Sequence, residues 1–284
     1  MKTGQKIEVG FFRTIMFIST CIIAIALITI IISILVNGLP ALSWEMISQT
    51  PKGGFYFGKE GGILNAIIGS LYLSVGASAL AFIIGLPVAL FMNIHLIKYK
   101  KLVNTIRFFL DLLWGIPSIV YGAFGFSIMI YFGFRTSLLA GTITVTLFII
   151  PIMIRSIDEV LKTIPRGLLE SSFSLGSTKS ETAYRVYVKQ CIPGIVTAVL
   201  LSFGRAIGDA ASVLFTTGYT DYIPTSLSQP TATLPLAIFF QLSSPIPEVK
   251  NRAYAAALIL TIIILIISLL ARFFSAKYRK NKIS

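Results

Sequence analysis

Cysteine and histidine are nearly missing from this chain of 284 residues, which has two Cys and one His. Cys21 lies in an apolar run and Cys191 far along the chain, so no disulfide framework is expected. With His95 alone, no Cys/His set exists to hold a metal. Charge is scarce too, at 12% of residues against about 25% in an ordinary soluble domain. A G-x-x-x-x-G-K-[ST] phosphate loop is also lacking: Gly58-Lys59 and Gly176-Ser177 are without its flanking residues. The chain is therefore not expected to bind or hydrolyse ATP itself. What it has is apolar: 55% of residues are hydrophobic, with a net charge of +13. In a soluble protein that charge would suggest nucleic acid. In a membrane protein it reflects Lys and Arg gathered in cytoplasmic loops, so lipid is the expected partner and nucleic acid is not.

The apolar residues come in long runs within one transmembrane domain, 1–284. Residues 1–13 are basic, and Thr14–Val36 follows. At about 1.5 Å per residue this run crosses a hydrocarbon core of about 30 Å, and it lacks the cleavage site of a signal peptide. Ile63–Ile94 exceeds one crossing, which predicts a tilted helix, a break near Gly85–Pro87, or an extension beyond the membrane. Its Ser70, Ser74 and Ser78 form a small-residue stripe suited to close helix packing. Further spans are expected at Phe108–Phe132, Ser137–Ile154, Ile195–Thr217 and Tyr254–Phe273. Leu234–Leu242 is apolar but too short to cross, as in a re-entrant or interfacial helix. The expectation is an all-α integral membrane protein of six spans with both termini on one side. The N-terminus, the second loop, the polar stretch before the fifth span and the C-terminus hold 18 Lys and Arg; the opposite loops hold 5. Both termini and the polar stretch are thus expected in the cytoplasm.

That stretch, Pro165–Pro193, is punctuated. Pro165 suits a first helical turn, and Leu168, Leu169, Phe173 and Leu175 recur at roughly helical spacing. Gly176 suits the left-handed residue that ends a helix, and Thr178 with Glu181 spells a capping box. Two short helices meeting at a glycine elbow are predicted, presenting Glu170, Lys179, Glu181, Arg185 and Lys189 as a docking surface for something in the water phase.

The fifth span carries Ser202-Phe203-Gly204-Arg205-Ala206-Ile207-Gly208-Asp209. Arg205 lies roughly 18 Å past Pro193 along a helix, where an ionised side chain costs about 2.5–3.5 kcal/mol. Arg205 and Asp209 are four residues apart and share a helical face. They form either a buried structural pair or the charged lining of a water-accessible path. Hydroxyls of Ser118, Ser212, Thr216 and Thr217 extend the polar character and could replace an ion's hydration. Asp111 reads as a solvated or capping acid, and Pro117 and Pro151 free backbone carbonyls within spans.

The elbow resembles the EAA loop of bacterial ABC importer permeases: E-A-A, three residues, Gly, nine residues, then I-x-L-P. Glu170-Ser171-Ser172 stand for E-A-A, and Gly176 has the required offset. Val186-Tyr187-Val188-Lys189 takes the last position with Lys where the family usually has Pro, and Ile192-Pro193-Gly194-Ile195 looks like the L-P-G-I that opens the next span. Three further stretches are similar to the phosphate-specific members, and among them to the A-type permease subunit. They are Trp114–Gly122, Gly204–Ala211 with Leu214–Thr216, and Tyr254–Arg272. Where those members more often have Glu, this chain has Asp209.

The resemblance implies a type I ABC importer permease fold and a role in phosphate import. An A-type and a C-type permease would form the path, two copies of an ATP-binding subunit would dock on the elbows, and an extracytoplasmic binding protein would deliver phosphate. ATP and Mg would belong to the ATPase, with no cofactor on this chain. Glu170, Ser171, Ser172, Gly176, Lys179 and Glu181 would couple to the ATPase; Arg205, Asp209, Ser118, Ser212, Thr216 and Thr217 are the candidate path. A permease for sulfate or molybdate, a carrier driven by an ion gradient through Asp209, and an assembly or sensory subunit are the alternatives.

Overall fold

The computed structural model describes residues 3–52 and 60–279; Gly58, Lys59, Lys280 and Lys282 lie outside the described residues. The order is α1 (Thr3–Gly38), α2 (Trp44–Ser48), a two-residue hairpin of β1 (Pro51–Lys52) and β2 (Glu60–Gly61), and α3 (Leu64–Leu90), which ends in a π turn at Phe91–His95. Then come α4 (Lys100–Gly115), α5 (Ser118–Tyr131), α6 (Leu138–Lys162) and α7 (Arg166–Ser174). The chain continues through α8 (Lys179–Glu181), a π-helical stretch at Thr182–Val188, α9 (Lys189–Gly208), α10 (Leu234–Leu242) and α11 (Pro247–Arg279).

Among the described residues five helices are long and apolar enough to cross a membrane, and α4 with α5 makes a sixth candidate bent by 91°. This corrects the expectation of one third span over Phe108–Phe132. Pro117 has no N–H to continue α4, and it forces the residue before it out of the helical region. Ile116 (φ −69°, ψ 130°) and Pro117 (φ −57°, ψ 138°) are both extended, and the chain turns there. The second span does not break at Pro87, because Leu64–His95 is continuous. The fourth runs on to Lys162 rather than ending at Ile154.

The fifth span is corrected more deeply. No separate second elbow helix exists, since Lys179–Gly208 is one helix of 30 residues. That helix stops at Gly208 rather than Thr217, and Asp209 is extended (φ −85°, ψ 124°). The short helix at Leu234–Leu242 forms as expected, capped by the Thr233 hydroxyl.

The centre of the fold is the contact of α3 with α6. Ser70, Ser74, Ala77, Ser78, Ala81 and Gly85 of α3 are buried, so the serine stripe is a packing face. A Cβ added at Gly85 would lie 3.0 Å from Met153, and one at Gly76 would lie 3.2 Å from Thr142. α9 closes on the same helix: a Cβ at Gly194 would lie 2.3 Å from Val160. Most of α1 is exposed along its length; it packs on α11, where Gly38 meets the Tyr254 backbone.

Candidate functional site

The elbow is built by three local devices. Pro165 is extended and starts α7. At the other end Ser177 N–H donates to Ser172 C=O (3.2 Å) and Gly176 N–H donates to Phe173 C=O (2.9 Å). This is a Schellman closure, and Gly176 supplies its positive φ of +82°. One residue on, the capping box forms: Glu181 N–H donates to the Thr178 hydroxyl (3.2 Å), and Thr178 N–H donates to Glu181 Oε2 (3.0 Å). A buried hydroxyl pair, Ser172 to Thr182 at 2.8 Å, joins α7 to the long helix. Leu169, Ala183, Tyr187 and Cys191 anchor the unit in the main core.

Within this elbow Glu170, Ser171, Gly176, Lys179 and Glu181 are exposed, as a docking surface requires. Ser172 is not: it is buried and its hydroxyl is held by Thr182. Sequence reasoning passed over the apolar tip, where Leu175 is 87% exposed and Phe173 stands out beside it. Their roughly helical spacing pointed to a helix and said nothing of what they face.

A charged hub lies beneath the elbow. Asp158 is fully buried. Its carboxylate accepts from Arg107 Nε and Nη2 (both 2.9 Å), Asn93 Nδ2 (2.8 Å), and Arg155 Nη1 (2.7 Å). Lys162 Nζ lies 3.2 Å away. Arg155 also reaches Asp111 (2.6 Å) and Glu159 (2.9 Å). Asp111 is thus paired rather than merely solvated. The hub was not anticipated, although Arg155, Asp158, Glu159 and Lys162 fall at helical intervals on one face.

The candidate path residues separate into two settings. Arg205 is exposed on a face of α9 shared with Thr197 and Leu201, and its guanidinium carbon lies 5.0 Å from the Phe148 ring centroid. Among the described residues it forms no ion pair with Asp209. The helix has ended at Gly208, so the two no longer share a face, and Asp209 Oδ2 instead accepts from Ser212 N–H (2.8 Å). Ser118 is half-buried at the start of α5. Ser212, Thr216 and Thr217 are fully buried. Thr216 and Thr217 donate to the carbonyls of Ser212 (3.2 Å) and Val213 (2.9 Å), so their hydroxyls face the interior of this chain rather than an open path. The Ser212 hydroxyl has no partner among the described residues.

α5 meets the chain just past the end of α9. A Cβ added at Gly122, one turn into α5, would lie 2.8 Å from the Ala211 carbonyl just past the end of α9. Backbone without regular hydrogen bonding is tolerated at membrane depth only where protein or a water-lined cavity satisfies it. Here Ser137 N–H donates to Thr216 C=O and Thr231 N–H to Thr217 C=O, both at 3.0 Å. The result is an irregular polar segment sealed by α5, α6 and the 218–233 loop, with Arg205 at its edge. His95 stacks on Phe91 at 5.1 Å between centroids, its Nδ1 buried without a partner among the described residues.

Comparison with known proteins gives the arrangement a family. Residues 81–280 match the family described as "Binding-protein-dependent transport system inner membrane component". The phosphate transport system permease protein PstA of Haemophilus influenzae is 31% identical over 277 residues, covering 96% of this chain and 94% of the relative. PstA of Yersinia pestis is 34% identical over 255 residues, covering 88% and 84%. PstA 1 of Mycobacterium tuberculosis is 34% identical over 227 residues, covering 78% and 72%. The fold is similar to a chain of the MetNI methionine ABC transporter in an inward-facing conformation (TM-score 0.63, 20% identity, covering 75% of this chain and 94% of that one). It is also similar to a chain of the bacterial alginate ABC transporter (TM-score 0.66, 15% identity, covering all of both). The chain therefore belongs to the binding-protein-dependent transport system inner membrane components, as a multi-pass permease of the cell membrane.

Proposed function

We propose that this chain is the membrane-spanning A-type permease subunit of an ATP-driven importer of inorganic phosphate, coupling a translocation path to a separate ATPase. The observation that carries the reading is the continuity of Lys179–Gly208. A helix of that length spans about 45 Å, with the capped elbow at one end and Arg205 in its last turns. Schellman closure, capping box and hydroxyl pair leave no slack between α7 and this helix. Displacement of the elbow by an ATPase is then delivered as a tilt of the face that carries Arg205.

Glu170, Ser171 and the tip formed by Phe173 and Leu175 present themselves to a groove on the ATPase, with Lys179 at the rim. Gly176 sets the angle. The concentration of Lys and Arg on the elbow side supports cytoplasmic termini and a cytoplasmic elbow. The partners are a C-type permease subunit, two ATP-binding subunits that use ATP and Mg, and an extracytoplasmic phosphate-binding protein. Arg205, open on a free face of α9, supplies positive potential at the seam with the second permease. Asp209 and Ser212 shape the neighbouring turn. Names of the relatives favour phosphate over sulfate or molybdate, and the elbow favours an ATPase over ion-gradient coupling.

The test is co-expression with the chromosomal neighbours. An ATPase should co-purify with the wild-type chain and be lost or uncoupled by Gly176→Asp or Glu170→Lys. Labelled phosphate uptake should resist competition by sulfate and molybdate and collapse with Arg205→Ala. Transport by the chain alone down an ion gradient would instead establish the carrier, and uptake unaffected by Arg205→Ala would remove Arg205 from the path.

A further inference from the structure

A second polar site lies on the elbow side, away from Arg205. The end of α3, the start of α4, the end of α6 and the π-helical stretch enclose a cavity of about 300 Å³. That volume is at the small end for ligand pockets. Lys100, Asn104, Arg107, Lys162, Asn93 and Tyr187 supply its polar lining. Lys100, Asn104 and Arg107 fall at helical intervals, so one face of α4 looks into it.

The donors exceed the acceptors. A carboxylate offers about four lone-pair sites, and those of Asp158 are taken by Arg107, Asn93 and Arg155, with Lys162 also in contact. Arg107 directs only Nε and Nη2 at Asp158, which leaves Nη1 without an acceptor among the described residues. Lys162 reaches Asp158 and Glu159, and a third ammonium N–H remains. Lys100 has no ion pair among the described residues and stands in the first turn of α4, where no side chain caps the helix. Three cations with unused N–H groups therefore border one small cavity, and Asp158, the buried carboxylate behind them, is already saturated.

We propose that this cavity binds a phosphate group, with Lys100, Arg107 and Lys162 as its charge partners and Asn104 at its mouth. A compact oxyanion with several acceptor oxygens fits the spare donors. The group is either free inorganic phosphate or the headgroup of an anionic phospholipid, since the cavity sits where the candidate span Leu64–His95 gives way to the basic turn of Lys98, Lys100 and Lys101. Tyr187 belongs to the π-helical stretch, so an occupied cavity ties α4 and α6 to the helix that carries the elbow and resists its movement. The inference does not depend on which ion the importer carries.

The experiment follows alkylation of Asn104→Cys in a Cys21→Ser background; Cys191 is buried. The full chain is placed in nanodiscs of phosphatidylcholine, with or without phosphatidylglycerol, and treated with iodoacetamide. Inorganic phosphate is compared with potassium chloride at equal ionic strength, so that general screening cancels. Slowing by phosphate in phosphatidylcholine alone identifies the free anion. Slowing only when phosphatidylglycerol is present identifies the headgroup. In either case Lys100→Gln should weaken the protecting ligand by about tenfold, the size of one lost charge-assisted hydrogen bond. Lys100 is exposed, so this variant keeps the hub and the fold. Labelling unchanged by either ligand, or protection that survives Lys100→Gln, overturns the proposal.

Discussion

Removing the Asp158 carboxylate tests whether the hub holds α4 to α6. In Asp158→Ala the partners fare unequally. Asn93 keeps its bond to the Ala89 carbonyl (2.9 Å), Arg155 keeps Asp111 and Glu159, and Lys162 keeps Glu159. Arg107 alone is orphaned, because both of its hydrogen bonds go to Asp158. Breaking a buried pair by removing one partner costs about 3–5 kcal/mol. With the Arg107 side chain 22% exposed, water recovers part of this, and about 3 kcal/mol is expected. Glu159→Ala is the control: that carboxylate also binds Arg155 and Lys162, but it is 57% exposed, and about 1 kcal/mol or less should be lost. Unfolding in detergent titrated with a denaturing surfactant measures both. The double variant Arg107→Met/Asp158→Leu should recover much of the loss, since no charge is then stranded. Equal losses for Asp158→Ala and Glu159→Ala, or a double variant no better than the single, would refute the reasoning.

Three further outcomes follow from the elbow and the loop after α9. Gly176 has φ +82° with open space around its Cα, so Gly176→Ala should cost about 1–2 kcal/mol from backbone strain alone; a stability-neutral alanine variant would contradict this. Ser172→Ala or Thr182→Val leaves a buried hydroxyl unpaired and should cost about 1–3 kcal/mol, whereas the double variant should be milder; additive losses in a double-mutant cycle would exclude the pair. Asp221 has a buried Oδ1 without a partner among the described residues, and burial pushes its carboxyl above the ordinary 3.8. The folded state thus favours the protonated form. Its contribution is fully present below pH about 4 and is lost as pH rises through the folded value. Asp221→Asn should flatten stability against pH just above 4 and stabilise the chain at neutral pH; an unchanged pH profile would count against a raised value.

Much of the elbow was legible because its signals are local. A proline start, a glycine in the left-handed region and a Thr-x-x-Glu box each act within a few residues; the glycine and the box appear where the letters place them, and the proline falls just outside the first turn, as the extended N-cap. The apolar tip was not legible, because roughly helical spacing of apolar residues does not say what covers them, and Leu175 falls just past the last turn of α7. The Arg205–Asp209 pairing failed for a similar reason. Four-residue spacing implies a shared face only while the helix lasts, and it stops at Gly208.

What the sequence by itself determined was the class of molecule. Long apolar runs with few charges leave a membrane bundle as the way to satisfy the backbone, and the elbow residues carry the family. Only the tertiary structure decided which polar groups meet. Asn93, Arg107, Arg155 and Asp158 come from three helices, and no local rule brings them together. Burying that carboxylate required the close approach of α3 to α6 that small residues permit. The close approach of α5 to the chain just past α9 likewise exists only because Gly122 lets the two backbones touch.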